Sequence, residues 1–283
     1  MDDLIPRIPL GKWIEAGLKW LTTEYSVVTR GISRITQTGI DALNDVMLAL
    51  PDWGFMIIVA AICWRLAGSR LAIGSVLGLI MIGNMGLWDP MIKTLTLVVI
   101  ATLVAIVVAL PIGIMAALST RLYRLVMPVL DFMQTMPAFV YLIPAIPFFG
   151  IGSVSAIFAT VIFSMPPAIR LTILGIRQVP SELIEAADSY GATRSQKLFK
   201  VQLPLSLPTI MAGINQTIML ALSMVVIAAM IGAEGLGSEV WRAIQRLRPG
   251  DGFEAGIAVV ILAMILDRIT QSLRKDNGKK QEE

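Results

Sequence analysis

The chain has 283 residues, 56% of them hydrophobic and 15% charged, with several apolar runs near the roughly 20 residues that crossing a hydrocarbon layer requires, so it reads as an all-α integral membrane protein. Its net charge of +3 is spread over scattered basic residues, which suits cytoplasmic loops beside anionic lipid, and no nucleic-acid motif is present. The absence of histidine removes the usual imidazole ligands and proton shuttles, and the lone Cys63, in an apolar run, reads as packing; membrane-buried carboxylate chemistry stays open.

Met1-Asp2-Asp3-Leu4 lacks the basic opening and apolar core of a signal peptide and is expected to remain in the mature protein. From residue 10 to 50, Leu10, Trp13, Ile14, Gly17, Leu18 and Leu21, then Val28, Ile32, Ile35, Leu43, Val46, Met47 and Leu50 recur at helical spacing. One or two amphipathic helices lying in the interface are predicted, with Trp13, Trp20 and Tyr25 at headgroup level, forming a surface scaffold without transport chemistry over 1–52.

Spans are predicted at 53–66, 71–88, 93–118, 127–149, 152–169, 210–231 and 253–270. The first is short, and Arg65 to Arg70 is either a tight turn or a break in a tilted hairpin. Residues 53–90 thus read as a peripheral membrane hairpin and 91–272 as the core, ahead of a polar tail at 273–283. Pro111, Pro128, Pro137, Pro144, Pro147, Pro166 and Pro167 predict kinks, since membrane helices tolerate proline where neighbours satisfy the freed carbonyls. Asp131 is expected to form a structural ion pair with Arg121 or Arg124, and Asp267 and Arg268 to mark the interfacial end of the last helix.

Most basic residues fall on one side: Arg65, Arg70, Arg121, Arg124, then Arg170, Arg177, Arg194, Lys197 and Lys200, then Arg268, Arg274, Lys275, Lys279 and Lys280. That side is expected to be cytoplasmic, with the N-terminus outside and the C-terminus inside, although Arg242, Arg246 and Arg248 run against the asymmetry. The basic tail reads as a solvated end that touches anionic lipid or a partner at most.

Residues 180–204 form a polar island. Pro180 and Ser181 open a short helix with Glu182 and Glu185 near its positive end, Gly191 closes it, and Thr193 with Gln196 makes a capping-box pattern for a second. This second helix is expected to stop near Leu203, because Pro204 disfavours helical geometry in the residue before it. Ala186 and Ala187 permit close approach, Leu183 and Tyr190 share a face as anchors for a partner's groove, and Glu185 can reach a basic partner.

The letters Glu185, Ala186, Ala187, Gly191, Leu203 and Pro204, with Val201 where isoleucine is usual, resemble the signature of permease subunits of binding-protein-dependent ATP-binding-cassette (ABC) importers. The resemblance implies a type I ABC importer transmembrane domain whose hairpin couples to the ATP-hydrolysing subunit. No Gly-rich phosphate loop followed by Lys-Ser or Lys-Thr is present, so the chain is expected not to be an enzyme and to bind no cofactor directly, with ATP and Mg on a separate ATPase. Implied partners are a second copy of the chain, two ATPase subunits, an extracytoplasmic binding protein and membrane lipid, in a bacterial cell membrane.

A longer resemblance covers most of 90–272. Leu130 to Pro144, Asn215 to Met224, Gly232-Ala233-Glu234-Gly235-Leu236-Gly237 and Leu266 to Gln271 look like permeases of glycine betaine, proline and choline uptake, above all the Gram-positive betaine type. In that family an aromatic cage for the quaternary ammonium sits on the binding protein, so the permease needs only a weak path. Gln134, Phe139, Tyr141, Asn215, Gln216, Met219 and Ser223 are the path candidates, each equally able to serve as interhelical glue. Rival readings are an ABC permease for another amino acid or amine, an ion-coupled secondary carrier, for which intramembrane carboxylates and an internal repeat are not evident, and a tension-gated channel.

Overall fold

The structure, a computed structural model, describes residues 9–279. The Met1 to Leu4 start lies outside these, and the basic tail from Arg274 lies outside the side chains described. The regular structure among the described residues is helical. Helix α1 (Leu10–Glu24) and α2 (Ser26–Ala49) carry the predicted amphipathic pattern, and most of their side chains are exposed. Ile40 of α2 is buried against Leu97 and Ala101, which ties the segment to the bundle.

At Leu50 and Pro51 the chain turns by 100° into α3 (Asp52–Ala67). Gly68, at φ +88°, connects α3 directly to α4 (Ser69–Asn84), so the stretch between Arg65 and Arg70 is a tight turn. Each of these helices has 16 residues, about 24 Å at 1.5 Å per residue, short of a full crossing. Cys63 is fully buried there with its sulfur 3.3 Å from Ser75 Oγ, and Phe55 meets Trp88 edge to face at 5.6 Å.

The centre is built from α5 (Trp88–Leu118), α8 (Ser153–Arg177) and α11 (Leu203–Ala229). Apolar surface cannot drive helix association in lipid, so close approach through small side chains must do it. Both α5 and α8 supply a ladder at four-residue spacing: Ala101, Ala105, Ala109 and Gly113 on one, Ala156, Thr160, Ser164, Ala168 and Thr172 on the other, all buried. A Cβ on Gly113 would lie 2.7 Å from that of Thr172, and one on Gly213 of α11 would lie 3.2 Å from the Pro167 carbonyl oxygen. Thr160 and Thr172 hydroxyls donate to carbonyls four residues back, at 2.7 Å each, so these two rungs carry polar groups that are satisfied within α8, whereas the buried Ser164 hydroxyl has no hydrogen-bond partner among the described residues.

Between α5 and α8, the predicted span 127–149 is two pieces. Helix α6 (Thr120–Thr135) ends at Met136, held extended (ψ 132°) by Pro137, and a 3-10 turn (Ala138–Tyr141) leads into α7 (Leu142–Phe149) after a bend of 112°. The polar island supplies α9 (Ser181–Ser189) and α10 (Arg194–Lys197), and α12 (Leu236–Gln245) and α13 (Pro249–Lys279) close the fold, the predicted 253–270 run lying in α13. By length and composition, α5, α8 and the continuous run 194–229 can cross a membrane, and the two bent pairs raise the number to five among the described residues. Of the seven expected spans, the α6–α7 stretch and α3 count only as members of bent pairs, and the two outside this count are the 16-residue α4 and the 253–270 run of α13.

Asp131 forms an ion pair, but its partner is Arg170 of α8 at 2.6 Å rather than Arg121 or Arg124. The nearer arginines in sequence lie on the preceding turns of α6, whereas α8 packs alongside and brings Arg170 across.

Candidate functional site

The polar hairpin emerges where α8 ends. Arg177 fixes that exit: its Nε and one terminal nitrogen donate to the Ala117 and Ala116 carbonyls at 3.2 Å each, and the guanidinium lies 3.9 Å over the Tyr123 ring. It therefore satisfies carbonyls left without partners at the end of α5 while stacking on α6. Arg177→Met should lower stability by about 1 kcal/mol in thermal unfolding, and Arg177→Lys should not restore it, because an ammonium cannot hold two carbonyls and stack at once.

Val179 is buried beside this junction and Pro180 starts α9. The helix closes as a Schellman turn: Gly191, at φ +74°, donates to the Asp188 carbonyl at 2.9 Å, and Ala192 donates to Ala187 at 3.0 Å. Thr193 then caps α10, its hydroxyl accepting from the Gln196 amide at 3.3 Å while the Gln196 side chain accepts from the Thr193 amide at 2.8 Å. Lys197 binds Asp188 at 2.6 Å, fastening the second helix to the first.

The predicted stop near Leu203 does not occur. A π turn at Leu198–Gln202 joins α10 to α11, and Leu203 is helical (φ −63°, ψ −47°). The wider turn changes the register ahead of Pro204, which sits in the first turn of α11, where a missing N–H breaks no bond of that helix. Leu203 and Pro204 are thus half-buried at the root of the hairpin, and α11 rises straight from it.

The outward face is apolar at its edges and acidic between. Leu183 is 44% exposed and Tyr190 92%, Glu182, Glu185 and Ala186 are exposed, and Ala187 is half-buried. The Glu185 carboxylate has no ion-pair partner among the described residues. A rigid, twice-capped knob with two exposed anchors and a free carboxylate has the chemistry of a docking element.

The path candidates divide. Gln216, Met219 and Ser223 lie on one exposed stripe of α11 with Leu205, Pro208 and Met230. Gln134 and Phe139 are exposed at the α6–α7 break, and the break packs on Met224 and Ile227 of α11. Tyr141 is buried and its hydroxyl donates to the Met133 carbonyl, bracing the break. Asn215 points instead to α13: its amide donates to Asp267 at 2.9 Å and its oxygen accepts from Thr270 at 2.7 Å. Asp267 is thus a partner of α11 from within α13, which runs on to Lys279, and not a charge at the end of the last helix as expected; its place in an apolar run beside Thr270 and Gln271 could have signalled this. Among the described residues no three His, Cys, Asp or Glu side chains gather to hold a metal ion.

At the end of α11 away from the hairpin, the 232–237 tract is clamped to α5. The Leu236 amide donates to Thr94 Oγ1 at 2.8 Å, and Lys93 pairs with Glu234, holding that carboxyl below its ordinary range through their hydrogen bond and then the lysine charge.

Residues 109–275, which hold the hairpin, α8, α11 and most of α13, match the family described as "Binding-protein-dependent transport system inner membrane component". The chain belongs to this family. It is 50% identical over 272 residues to the glycine betaine transport system permease protein OpuAB of Bacillus subtilis, covering 96% of each chain. It is 52% identical over 278 residues to the glycine betaine/carnitine transport permease protein GbuB of Listeria monocytogenes, covering 96% of this chain and 97% of that one. It is 48% identical to the glycine betaine/proline betaine permease ProW of Escherichia coli over 95% of this chain and 76% of that protein. Among solved structures, the MetNI methionine ABC transporter shares the fold at a TM-score of 0.61 and 22% identity, over 65% of this chain and 93% of that one. The fold is therefore that of a type I ABC importer transmembrane domain, and the protein is a multi-pass inner-membrane component of a transporter.

Proposed function

We propose that the protein is the permease subunit of an ATP-driven importer of glycine betaine and related osmoprotectants. The observation that carries the coupling is the hairpin at Glu185, which presents unpartnered apolar anchors at one end of a helix that runs the length of the bundle. Two copies of the chain form the path, and two separate ATPase subunits, which hold ATP and Mg, receive the hairpins. Closure of the ATPases draws the hairpins together, and because α11 continues from the hairpin root, the displacement passes straight to its Gln216, Met219 and Ser223 stripe. Basic residues crowd the hairpin end, which favours that end as cytoplasmic, with the N-terminus outside and an extracytoplasmic binding protein delivering cargo to the far end. The path stripe has polar groups and soft apolar walls but little to hold a quaternary ammonium tightly, as a low-affinity gate requires.

Proteoliposomes with the cognate ATPase and binding protein should accumulate labelled glycine betaine only with internal-facing ATP, and unlabelled proline betaine should compete better than glutamine. Carnitine and choline competition ranks the cargo. Uptake by the permease alone under an ion gradient would contradict the reading.

A further inference from the structure

We propose that the groove between α12 and α13 holds an anionic phospholipid, with acyl chain along the groove and phosphate at Arg248 and Arg246. Independently of the cargo, three observations converge on this assignment. The groove is about 880 Å³ and is lined almost wholly by apolar side chains, Val240, Ile244, Phe253, Val260 and Met264 among them. Its trough is opened by Gly256 of α13, where a Cβ would meet nothing within 4 Å, while Gly252 lets α13 approach α12, since a Cβ there would lie 3.3 Å from that of Ala243. A slot of this size in a membrane-embedded surface is filled by something apolar and elongated.

The second observation is Leu247. Helix α12 ends in a Schellman turn, with Arg248 donating to the Ala243 carbonyl at 2.9 Å and Leu247 to Ile244 at 3.2 Å. The residue in the left-handed position of such a turn is ordinarily glycine; here Leu247 takes it, at φ +53°, and holds its side chain 88% exposed at the lip of the groove. A leucine that is both strained and exposed at this lip calls for an apolar cover, which an acyl chain in the groove supplies.

The third is charge. Helix α11 runs 27 residues, about 40 Å, from the hairpin, so the start of α13 lies at the opposite end of the bundle and the groove opens at that membrane surface. Arg248 lines the mouth, and its bridge to Asp251 is long, 3.7 Å, between two side chains about two-thirds exposed, so the guanidinium stays available. Arg246 forms no ion pair among the described residues, while Arg242 is taken by Glu239. These are the basic residues that break the charge asymmetry of the loops, and a lipid phosphate supplies what they bind.

The test uses the full chain in mild detergent, delipidated and then titrated with dioleoyl phosphatidylglycerol or phosphatidylcholine, with native mass spectrometry counting bound lipid. Phosphatidylglycerol should be retained on the order of ten-fold better. Arg246→Gln with Arg248→Gln should erase that preference, and Gly256→Leu, which fills the slot, should reduce both lipids. Leu247→Gly should lower retention while leaving the unfolding temperature unchanged or higher, an outcome that a merely structural role for Leu247 would not give. Equal retention of the two lipids by the unmodified protein, or full retention by both Gly256→Leu and Leu247→Gly, overturns the proposal. So does a dimer that dissociates on Gly256→Leu with lipid binding intact, which would make a second copy the occupant. The arginine pair lies on the surface and keeps the test decisive should a groove variant fold poorly.

Discussion

Replacing Leu183 and Tyr190 together by serine is expected to weaken assembly with the ATPase subunits by about a hundred-fold and to abolish ATP-driven uptake, with the permease itself still folded. Both side chains are largely exposed, and neither belongs to a core cluster, so the fold loses little when they go. In a partner's groove, each buried anchor contributes on the order of 2 kcal/mol, less than additively, which gives roughly 3 kcal/mol and the hundred-fold figure. Glu185→Gln should act differently, slowing association and flattening its salt dependence more than it speeds dissociation, because a rim charge steers more than it holds. Titration of labelled ATPase onto the permease in nanodiscs separates these effects. A serine pair that binds within about three-fold of the unmodified protein would show that the knob does not dock through these anchors.

Why this hairpin could be read from the sequence, while its root could not, follows from the range of the interactions. Pro180, Gly191 and the Thr193–Gln196 box act within one turn of themselves, and the structure has each where local chemistry puts it. Apolar runs are equally local in their meaning, so α5 and α8 are legible, and so is the amphipathic character of α1 and α2. Pro204 does not end the helix because its effect depends on the π turn before it, and nothing in the letters Leu198 to Gln202 announces an extra residue in the coil. The bend at Pro137 reverses the case: one proline among several predicted only a kink, and it is the extended Met136 with the 3-10 turn beyond it that redirects the chain by 112°. Arg170 on Asp131, Arg177 on the end of α5, and Asp267 on Asn215 all join residues 39 or more positions apart. Such pairs appear only after the helices have been placed, and the Arg177 contacts sit at the end of α8, next to the hairpin.

Gly237→Val should be the most damaging single change outside the hairpin, costing about 3–5 kcal/mol, whereas Gly256→Ala on the next helix should cost nothing measurable. Both are helical glycines in apolar surroundings, and propensity alone would favour alanine at either by about 1 kcal/mol. The difference is in what stands opposite. A Cβ on Gly237 would lie 2.7 Å from the Val225 carbonyl carbon and closer still to its oxygen, and that backbone is interior to α11 and cannot move aside. Relief requires α12 to lift away from α11, which would pull Leu236 out of the core and break the hydrogen bond that its amide donates to Thr94. With that bond goes the clamp that ties the far end of α11 to α5, so the loss should also reach transport, as weaker dependence of uptake on the binding protein before any loss of ATPase docking. Thermal unfolding in detergent, paired with ATPase titration in nanodiscs, measures the two separately. An unfolding temperature for Gly237→Val within experimental scatter of that for Gly256→Ala would mean that α12 does not pack on α11 as closely as the Val225 contact requires.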